Sequence, residues 1–315
     1  MDKIRLGISA CLLGKKVRYD GGHKLDSFLT DTMGRFVEFI PVCPEVEMGL
    51  GVPRESMRLH GDPASPRLIT SKTNRDYTGR MCKWAEKRVR ELEREDLSGF
   101  IFKSHSPSSG MRGVRVYDEN GKPVKKGAGI FAGVFMTRFP LLPVEDEGRL
   151  HNPAVRENFI ERIFTMKRWR RTLAERKRLQ DLVDFHTRHK LLILAHSERH
   201  VRLMDRLIAQ GTGLPPEELY GRYQGLLMEA VLLNATTRKN YNVLQHATGF
   251  FKKQLPSEEE KELFEIVDLY RRGRCPLVVP LTLLRHYAYK YDQPYLKEQF
   301  YLNPHPIELQ LRNHA

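Results

Sequence analysis

A chain of 315 residues with 40% hydrophobic residues is long enough for two domains and apolar enough to bury a core, which excludes a disordered chain. Lys and Arg number 53 against 39 Asp and Glu, and the resulting formal charge of +14 implies an acidic partner, nucleic acid first and an anionic membrane surface second, or else a basic protein with no such partner. No apolar run is long enough to span a bilayer, the start MDKIRLGISACLLG has no long apolar core, and a cytoplasmic protein is expected.

The first half alternates strand-like and helix-like stretches. Lys3 to Ser9 and Phe36 to Val42 read as strands. Asp76 to Glu95 has helical spacing, with Tyr77, Met81, Trp84, Ala85 and Val89 near one face. Gly99 to Lys103 is another strand. Val114 to Tyr117 and the stretch from Val124 form a hairpin around Asn120-Gly121, and Gly129 to Phe139 a short apolar helix. This alternation predicts an α/β layer with a mostly parallel sheet. Pro140 to Pro153, rich in prolines and acids, reads as a linker.

From about Asn152 the period is helical almost throughout. KLLILAHSERHVRLMDRLIA reads as one helical stretch ending at Gly211. Pro215-Pro216-Glu217-Glu218 is a helix start, and Ser257 before three glutamates has the pattern of a capping box. Thr282 to Tyr291 is a further helix. The second half is therefore expected to be all-helical.

The four cysteines, Cys11, Cys43, Cys82 and Cys275, form no CxxC pair and do not suggest a disulfide framework. Cys82 lies on the expected helix near Trp84 and reads as core. Cys11, Cys43 and the loop Ser106-Pro107-Ser108-Ser109-Gly110 each follow an expected strand. In an open α/β sheet such loops converge on the binding crevice, so Cys11 and Cys43 can face one another there. Two buried thiols in tight turns satisfy the same spacing.

The stretches ISACLLGKKVRYDGGHK, VCPEVEMGLGVPRE and KSHSPSSGMRGVRVY resemble the thiouracil desulfidase family in order and spacing. RHKLLILAHSERH, TTRKNYNVLQHATGFFKK, VVPLTLLRHY and YLNPHPIELQLRN are similar to the helical domain of its fused members, which desulfurise 4-thiouridine in tRNA. The resemblance implies a Rossmann-like α/β domain over residues 1–150, then an all-α domain over 151–315 that grips RNA. It also implies a [4Fe-4S] cluster with one open iron. Its ligand positions fall on Cys11, Cys43 and Ser109, where the family has a third cysteine. The catalytic acid falls on Glu45 and the catalytic serine on Ser106. Thiolated tRNA is the implied partner and substrate. A free thiolated pyrimidine is the alternative substrate, and a non-catalytic tRNA-binding homologue is the reading that Ser109 favours.

The chemistry of these residue types is coherent. Iron is a fitting partner for a soft thiocarbonyl sulfur, and its Lewis acidity makes the carbon a better target for water. Glu45 would shuttle protons and Ser106 would orient substrate or water by hydrogen bonding. A carboxylate at Glu45 would equally suit the first turn of a helix. Ser109 offers a hard hydroxyl of high pKa where clusters prefer thiolate.

Tyr19, Asp20, Gly21 and Gly22 are candidate substrate contacts: the glycines permit close backbone approach and Asp20 can hydrogen-bond a pyrimidine edge, although a plain turn has the same composition. Arg54 is a weaker candidate. Lys167, Arg168, Arg170 and Arg171, interleaved with Trp169, are the candidate RNA contacts, or else a solvated helix face. Lys239, Lys252, Lys253, Arg271, Arg272 and Arg274 would extend that surface. His189, His196 and His200 are spaced to share a helix face, at a domain interface or on RNA, with no third ligand evident for a metal. Tyr220, Tyr223, Phe250 and Phe251 read as core before base-stacking groups.

Overall fold

The computed structural model describes residues 3–118, 120–252, 254–306, 309, 311 and 312. The chain divides into two compact units, residues 1–159 and 160–315.

In the first unit the strands are β1 (Ile4–Ser9), β2 (Val37–Val42), β3 (Met57–His60), β4 (Arg67–Thr70), β5 (Gly99–Phe102), β6 (Val114–Tyr117), β7 (Pro123–Gly127) and β8 (Val144–Asp146). Their helices are α1 (Pro44–Glu47), α2 (Thr78–Leu92), α3 (Ile130–Arg138) and α4 (Glu147–Leu150). The main sheet has the order β2-β1-β5-β8 and is parallel throughout. Its central strand β5 reads GFIF and is buried at every residue, as expected of a parallel strand covered on both faces. Gly7 of β1 pairs in register with Phe100 of β5, and a Cβ at Gly7 would lie 2.1 Å from the Phe100 ring. That ring belongs to an aromatic cluster with Phe102, 4.3 Å away between centroids, and Phe135 of α3 at 4.7 Å.

The expected α/β layer is thus present, with two additions. The stretch read as a linker carries β8, which pairs with β5 through Phe100↔Val144 and Phe102↔Asp146, followed by α4. Three residues are too short for a periodicity to be legible. A second sheet, β4-β3-β6-β7, contains the expected hairpin, with Gly121 donating to the Asp118 carbonyl at 3.0 Å in its turn. Its other two strands, MRLH and RLIT, are short and each carries an arginine. They bury Leu59 and Leu68 against Met48, Met81, Val114 and Val116.

The main sheet leads its loops to one edge, and α3 moulds the third of them. Ile130 N donates to the Pro107 carbonyl at 3.2 Å, Ala132 N to Ser108 O at 3.1 Å and Gly129 N to Gly110 O at 2.7 Å. The free N–H groups of a helix start are thereby satisfied by the serine loop. A Cβ at Gly129 would meet the Ser108 carbonyl group at 2.5 Å, so this close approach requires glycine.

The second unit is helical, as expected. Helix α5 (Pro153–Leu173) enters it, followed by α6 (Leu179–His196), α7 (Glu198–Ala209), α8 (Pro216–Leu232), α9 (Thr237–Gly249), α10 (Ser257–Arg271), α11 (Val278–Lys290) and α12 (Pro294–Lys297). Pro216 opens α8 with Glu217 and Glu218 in its first turn, as read from the sequence. Two local expectations fail. The stretch containing SERH is two helices, because Ser197 is extended (φ −164°, ψ 110°) and its hydroxyl caps α7 by accepting from His200 N. Ser257 does not cap α10, whose N-cap is Pro256, because the helix begins at the serine itself. Trp169 is fully buried, its ring 5.1 Å from Phe185 and 5.2 Å from Tyr223. Tyr220, Tyr223 and Phe251 are core as expected, and Phe250 is exposed. No helix among the described residues is long and apolar enough to cross a membrane.

Replacing Gly129 by Ala is expected to lower stability by about 1–3 kcal/mol, since rigid backbone must move to admit the methyl group. Urea denaturation of the purified protein measures this directly.

Candidate functional site

The carboxyl ends of β1, β2 and β5 open into a cavity of about 410 Å³ whose walls include Cys11, Cys43, Glu45, Arg54, Ser106 and Ser109. This is the crevice position expected of a parallel sheet. Cys11 sits on the short turn of 3₁₀ helix after β1, closed by Gly14 in the left-handed region (φ 81°). Its carbonyl accepts from Lys24 N at 2.9 Å, which folds the 15–24 loop back over the site. Cys43 precedes α1, and its N–H donates to Glu47 Oε1 at 2.8 Å. Its Sγ lies 3.6 Å from Glu45 Oε2 and 3.8 Å from the Val17 carbonyl.

Burial pushes the Cys43 thiol up to about 12, with the neighbouring Glu45 charge adding to the effect. Burial likewise raises Cys11, offset in part by the cations of Lys103 and Arg18. Both sulfurs are therefore protonated near neutral pH in the ligand-free protein, and binding a metal there would release protons.

The serine loop contributes an ordered chain of hydroxyls. Fully buried Ser108 donates to Glu45 Oε1 at 2.6 Å. Ser106 Oγ lies 3.0 Å from Ser108 Oγ. A hydroxyl has one proton, so Ser106 is the donor in that bond and the chain runs Ser106 to Ser108 to Glu45. Ser106 Oγ also accepts from Ser109 N at 3.1 Å. On the other side of the carboxylate, Arg54 Nη2 stands 3.8 Å from Glu45 Oε2 and donates to Val17 O at 3.0 Å.

A second polar lock holds the root of the loop. Glu147, at the start of α4, accepts from Ser104 N at 2.7 Å, from Ser104 Oγ at 2.6 Å and from Lys103 Nζ. Lys103 Nζ also donates to Ser104 O at 3.1 Å and Ser104 Oγ at 2.9 Å. Lys103 N bonds to Ser9 Oγ at 2.9 Å, which joins the ends of β5 and β1. Ser108, Ser104 and Glu147 were not recognised in the sequence as parts of the site. A charge closing the apolar run at Lys103 was a local signal, but nothing near it in the chain points to Glu147.

Of the expected substrate contacts, Tyr19 lines the cavity. Asp20, Gly21 and Gly22 do not: Asp20 Oδ1 accepts from Gly22 N at 3.0 Å and pairs with Arg18 at 3.4 Å, and Gly21 has φ 78°. They form the plain turn that their composition also allowed, and the hydrogen bond from Gly22 with the Arg18 charge lowers the Asp20 pKa. Cys82 is half-buried on α2 and lies outside the cavity walls.

The cations expected on RNA are placed differently from expectation. Arg168 is half-buried in the helical unit, where Nε donates to His189 Nε2 at 2.9 Å, Nη1 to Pro304 O at 2.9 Å and Nη2 to Thr165 Oγ1 at 3.1 Å. Burial lowers its pKa to about 9. Lys167 and Arg170 are half-buried and have intramolecular partners, and Arg171 is exposed. Lys239 donates to the carbonyls of His196 (2.7 Å) and Asn234 (2.9 Å), while Arg271 and Arg272 pair with Asp268. Lys252 and Arg274 are exposed, and Lys253 lies outside the described residues.

The three histidines have separate partners. His189 takes the Arg168 N–H, His196 Nε2 is 3.3 Å from Glu161, and His200 Nδ1 is 2.8 Å from Ser197 Oγ. The break at Ser197 takes His200 off the helix that carries His189 and His196. Among the described residues no group of three or more His, Cys, Asp or Glu is placed to hold a metal ion.

Residues 6–147 match the family described as 2-thiouracil desulfurase, and residues 190–306 match a protein family of unknown function, DUF1722. The chain carries a 2-thiouracil desulfurase family domain followed by a DUF1722 region. It is 33% identical over 135 residues to "Uncharacterized protein YbgA" of Escherichia coli (strain K12), covering 42% of this chain and 79% of that relative. It is also similar to a solved structure, the [4Fe-4S]-dependent thiouracil desulfidase TudS, at 30% identity, with 47% of this chain and 94% of that chain covered and a TM-score of 0.40. The desulfurase-family match spans the cavity-bearing sheet except for the first two residues of β1.

A cluster can be tested against this cavity by its donors. Cys11 and Cys43 supply two soft sulfur atoms, and Ser109, buried in the same wall, supplies an oxygen. The donor set is thus two thiols, chemically suited to iron, and one hard hydroxyl, which is a poorer iron ligand than a thiolate.

Two outcomes follow from the buried charges. Arg168→Ala is expected to destabilise the protein by about 3 kcal/mol or more, since it leaves several buried acceptors unpaired. Denaturation curves should show that loss, and RNA affinity should change little for whatever remains folded. Glu147 is held below its ordinary value of 4.5 because hydrogen bonds from Lys103 and Ser104 outweigh its burial. Its stabilising contribution is therefore complete above the ordinary carboxylate range and is lost as the pH falls through its lowered value. Glu147→Gln should cost stability at neutral pH and flatten the acid limb of a stability-against-pH curve.

Proposed function

We propose that this chain is a cytoplasmic desulfidase that converts the thiocarbonyl of 4-thiouridine in tRNA to a carbonyl. The reaction consumes water and releases hydrogen sulfide, so it needs no external oxidant or reductant. The observation that carries the reading is the hydrogen-bonded chain from Ser106 through Ser108 to Glu45, within the same walls as Cys11 and Cys43.

Cys11, Cys43 and Ser109 would hold a [4Fe-4S] cluster, which when bound supplies a Lewis-acidic iron for the thiocarbonyl sulfur. Glu45 accepts the proton of the attacking water and returns it to the departing sulfur. Ser108 holds the carboxylate in one orientation by its 2.6 Å bond, and Ser106 donates toward substrate or water when it turns from Ser108. Arg54 balances the carboxylate charge from the opposite side.

The test is anaerobic reconstitution with iron and sulfide, followed by measurement of sulfide released from thiolated tRNA and from 2-thiouracil. Glu45→Gln should reduce turnover about 10²–10⁴-fold without loss of iron. Ser109→Cys should raise cluster content and the visible absorbance of the reconstituted protein. No sulfide from any thiolated pyrimidine, with either residue at position 109, would defeat the enzyme reading. Salt-sensitive tRNA binding with that result would support the second reading, a non-catalytic RNA-binding homologue, which rests on the hydroxyl at Ser109.

A further inference from the structure

A second cavity, of about 640 Å³, adjoins the first and shares Met57, His105 and Pro107 with it. Its walls carry two arginines, Arg58 on β3 and Arg115 on β6, with Tyr117 and Ser71 beside them. No carboxylate lines it among the described residues. Arg58 sits over the Tyr117 ring, 5.9 Å from its centroid, and its Nη2 makes only a long contact, 3.4 Å, to Asn74 Oδ1. Arg115 is exposed. Glu55, on the wall of the first cavity, is turned away into the Lys72–Thr73 backbone, accepting from Thr73 N at 2.8 Å and from Thr73 Oγ1 at 2.7 Å.

The residue between the two cavities is strained. His105 is exposed and has φ 59°, a left-handed conformation that costs a non-glycine residue energy and concentrates at functional sites. It holds the serine loop as the common lip of a site for a base and a groove with cations and an aromatic face. A free pyrimidine has no phosphodiester with which to reach a second cavity. A nucleotide within a strand has a phosphodiester beside the base, and guanidinium groups with an adjoining aromatic ring match a phosphodiester and a stacked neighbouring base.

We propose that the Arg58–Arg115–Tyr117 groove binds the phosphodiester backbone and the neighbouring nucleotide of an unpaired RNA segment whose thiolated base enters the first cavity. This rests on the desulfidase reading for the identity of the base, but the groove's own affinity does not depend on sulfur. It places the RNA-binding surface on the desulfurase-family domain, on Arg58 and Arg115, neither of which has a carboxylate partner among the described residues.

The experiment measures fluorescence anisotropy of a fluorescein-labelled, sulfur-free uridine oligoribonucleotide with the full chain over a salt series. The unmodified protein should bind with a log affinity that falls linearly with log salt. Arg58→Ala combined with Arg115→Ala should weaken binding at least about tenfold at low salt, and make the slope shallower by about 0.7 for each phosphate that is no longer neutralised. Arg58→Lys with Arg115→Lys keeps the charges and should retain most of the slope, which separates charge removal from misfolding. Unchanged affinity and slope in the alanine variant would overturn the proposal, as would failure of the unmodified protein to bind. Uridine monophosphate binding as tightly as the oligonucleotide would also overturn it, since the groove would then recognise a terminal phosphate. Loss of oligonucleotide binding in the alanine variant of a protein that releases no sulfide from any substrate would reject the desulfidase reading while leaving the groove in place.

Discussion

The site depends on the seating of the Ser106–Gly110 loop on the start of α3. Helix N–H groups need acceptors, and here the acceptors are the loop carbonyls of Pro107, Ser108 and Gly110. Gly129 makes the distance small enough, and the aromatic cluster of Phe100, Phe102, Phe131 and Phe135 holds α3 against the sheet. The loop's side chains are consequently free to turn toward the opposite edge, where Ser108 meets Glu45. A buried hydroxyl with a fixed backbone gives a carboxylate one orientation, which a solvent-facing serine cannot do.

Charge is organised on the same principle. A net charge of +14 describes the composition but says nothing of where cations are available. Lys103 ties the strand end to Glu147, and Arg168 ties α5 to the Pro304 carbonyl and His189. Arg312 is buried against Glu161 and the Tyr301 carbonyl. Burying such groups is tolerable because each is hydrogen-bonded, and their removal is costly for the same reason. Cations in the densest basic run of the sequence are partly structural, whereas Arg58 and Arg115 occur singly in short strands and border the cavity.

Much of the parallel sheet was legible, since IRLGIS, VEFIPV and GFIF are apolar runs bounded by turn residues. The convergence of Cys11, Cys43 and the serine loop was also legible, as each loop follows a strand of the parallel sheet, and those strands are neighbours in it. β8 was not, being three residues among prolines, nor were β3 and β4, whose arginines interrupt the apolar pattern. The break at Ser197 was missed because a serine inside an apolar period reads equally as helix interior or as cap, and only the chain direction after it decides.

The sequence by itself determined the fold class and the residues at the strand ends. These follow from local periodicity and from the order of motifs along the chain. Only the tertiary structure decided which side chains meet: Ser108 with Glu45 across 63 residues, Lys103 with Glu147 across 44, and Arg168 with Pro304 across 136. Hydrogen bonds are directional and act over about 3 Å, so partners distant in the chain carry no local signature until the fold brings them together.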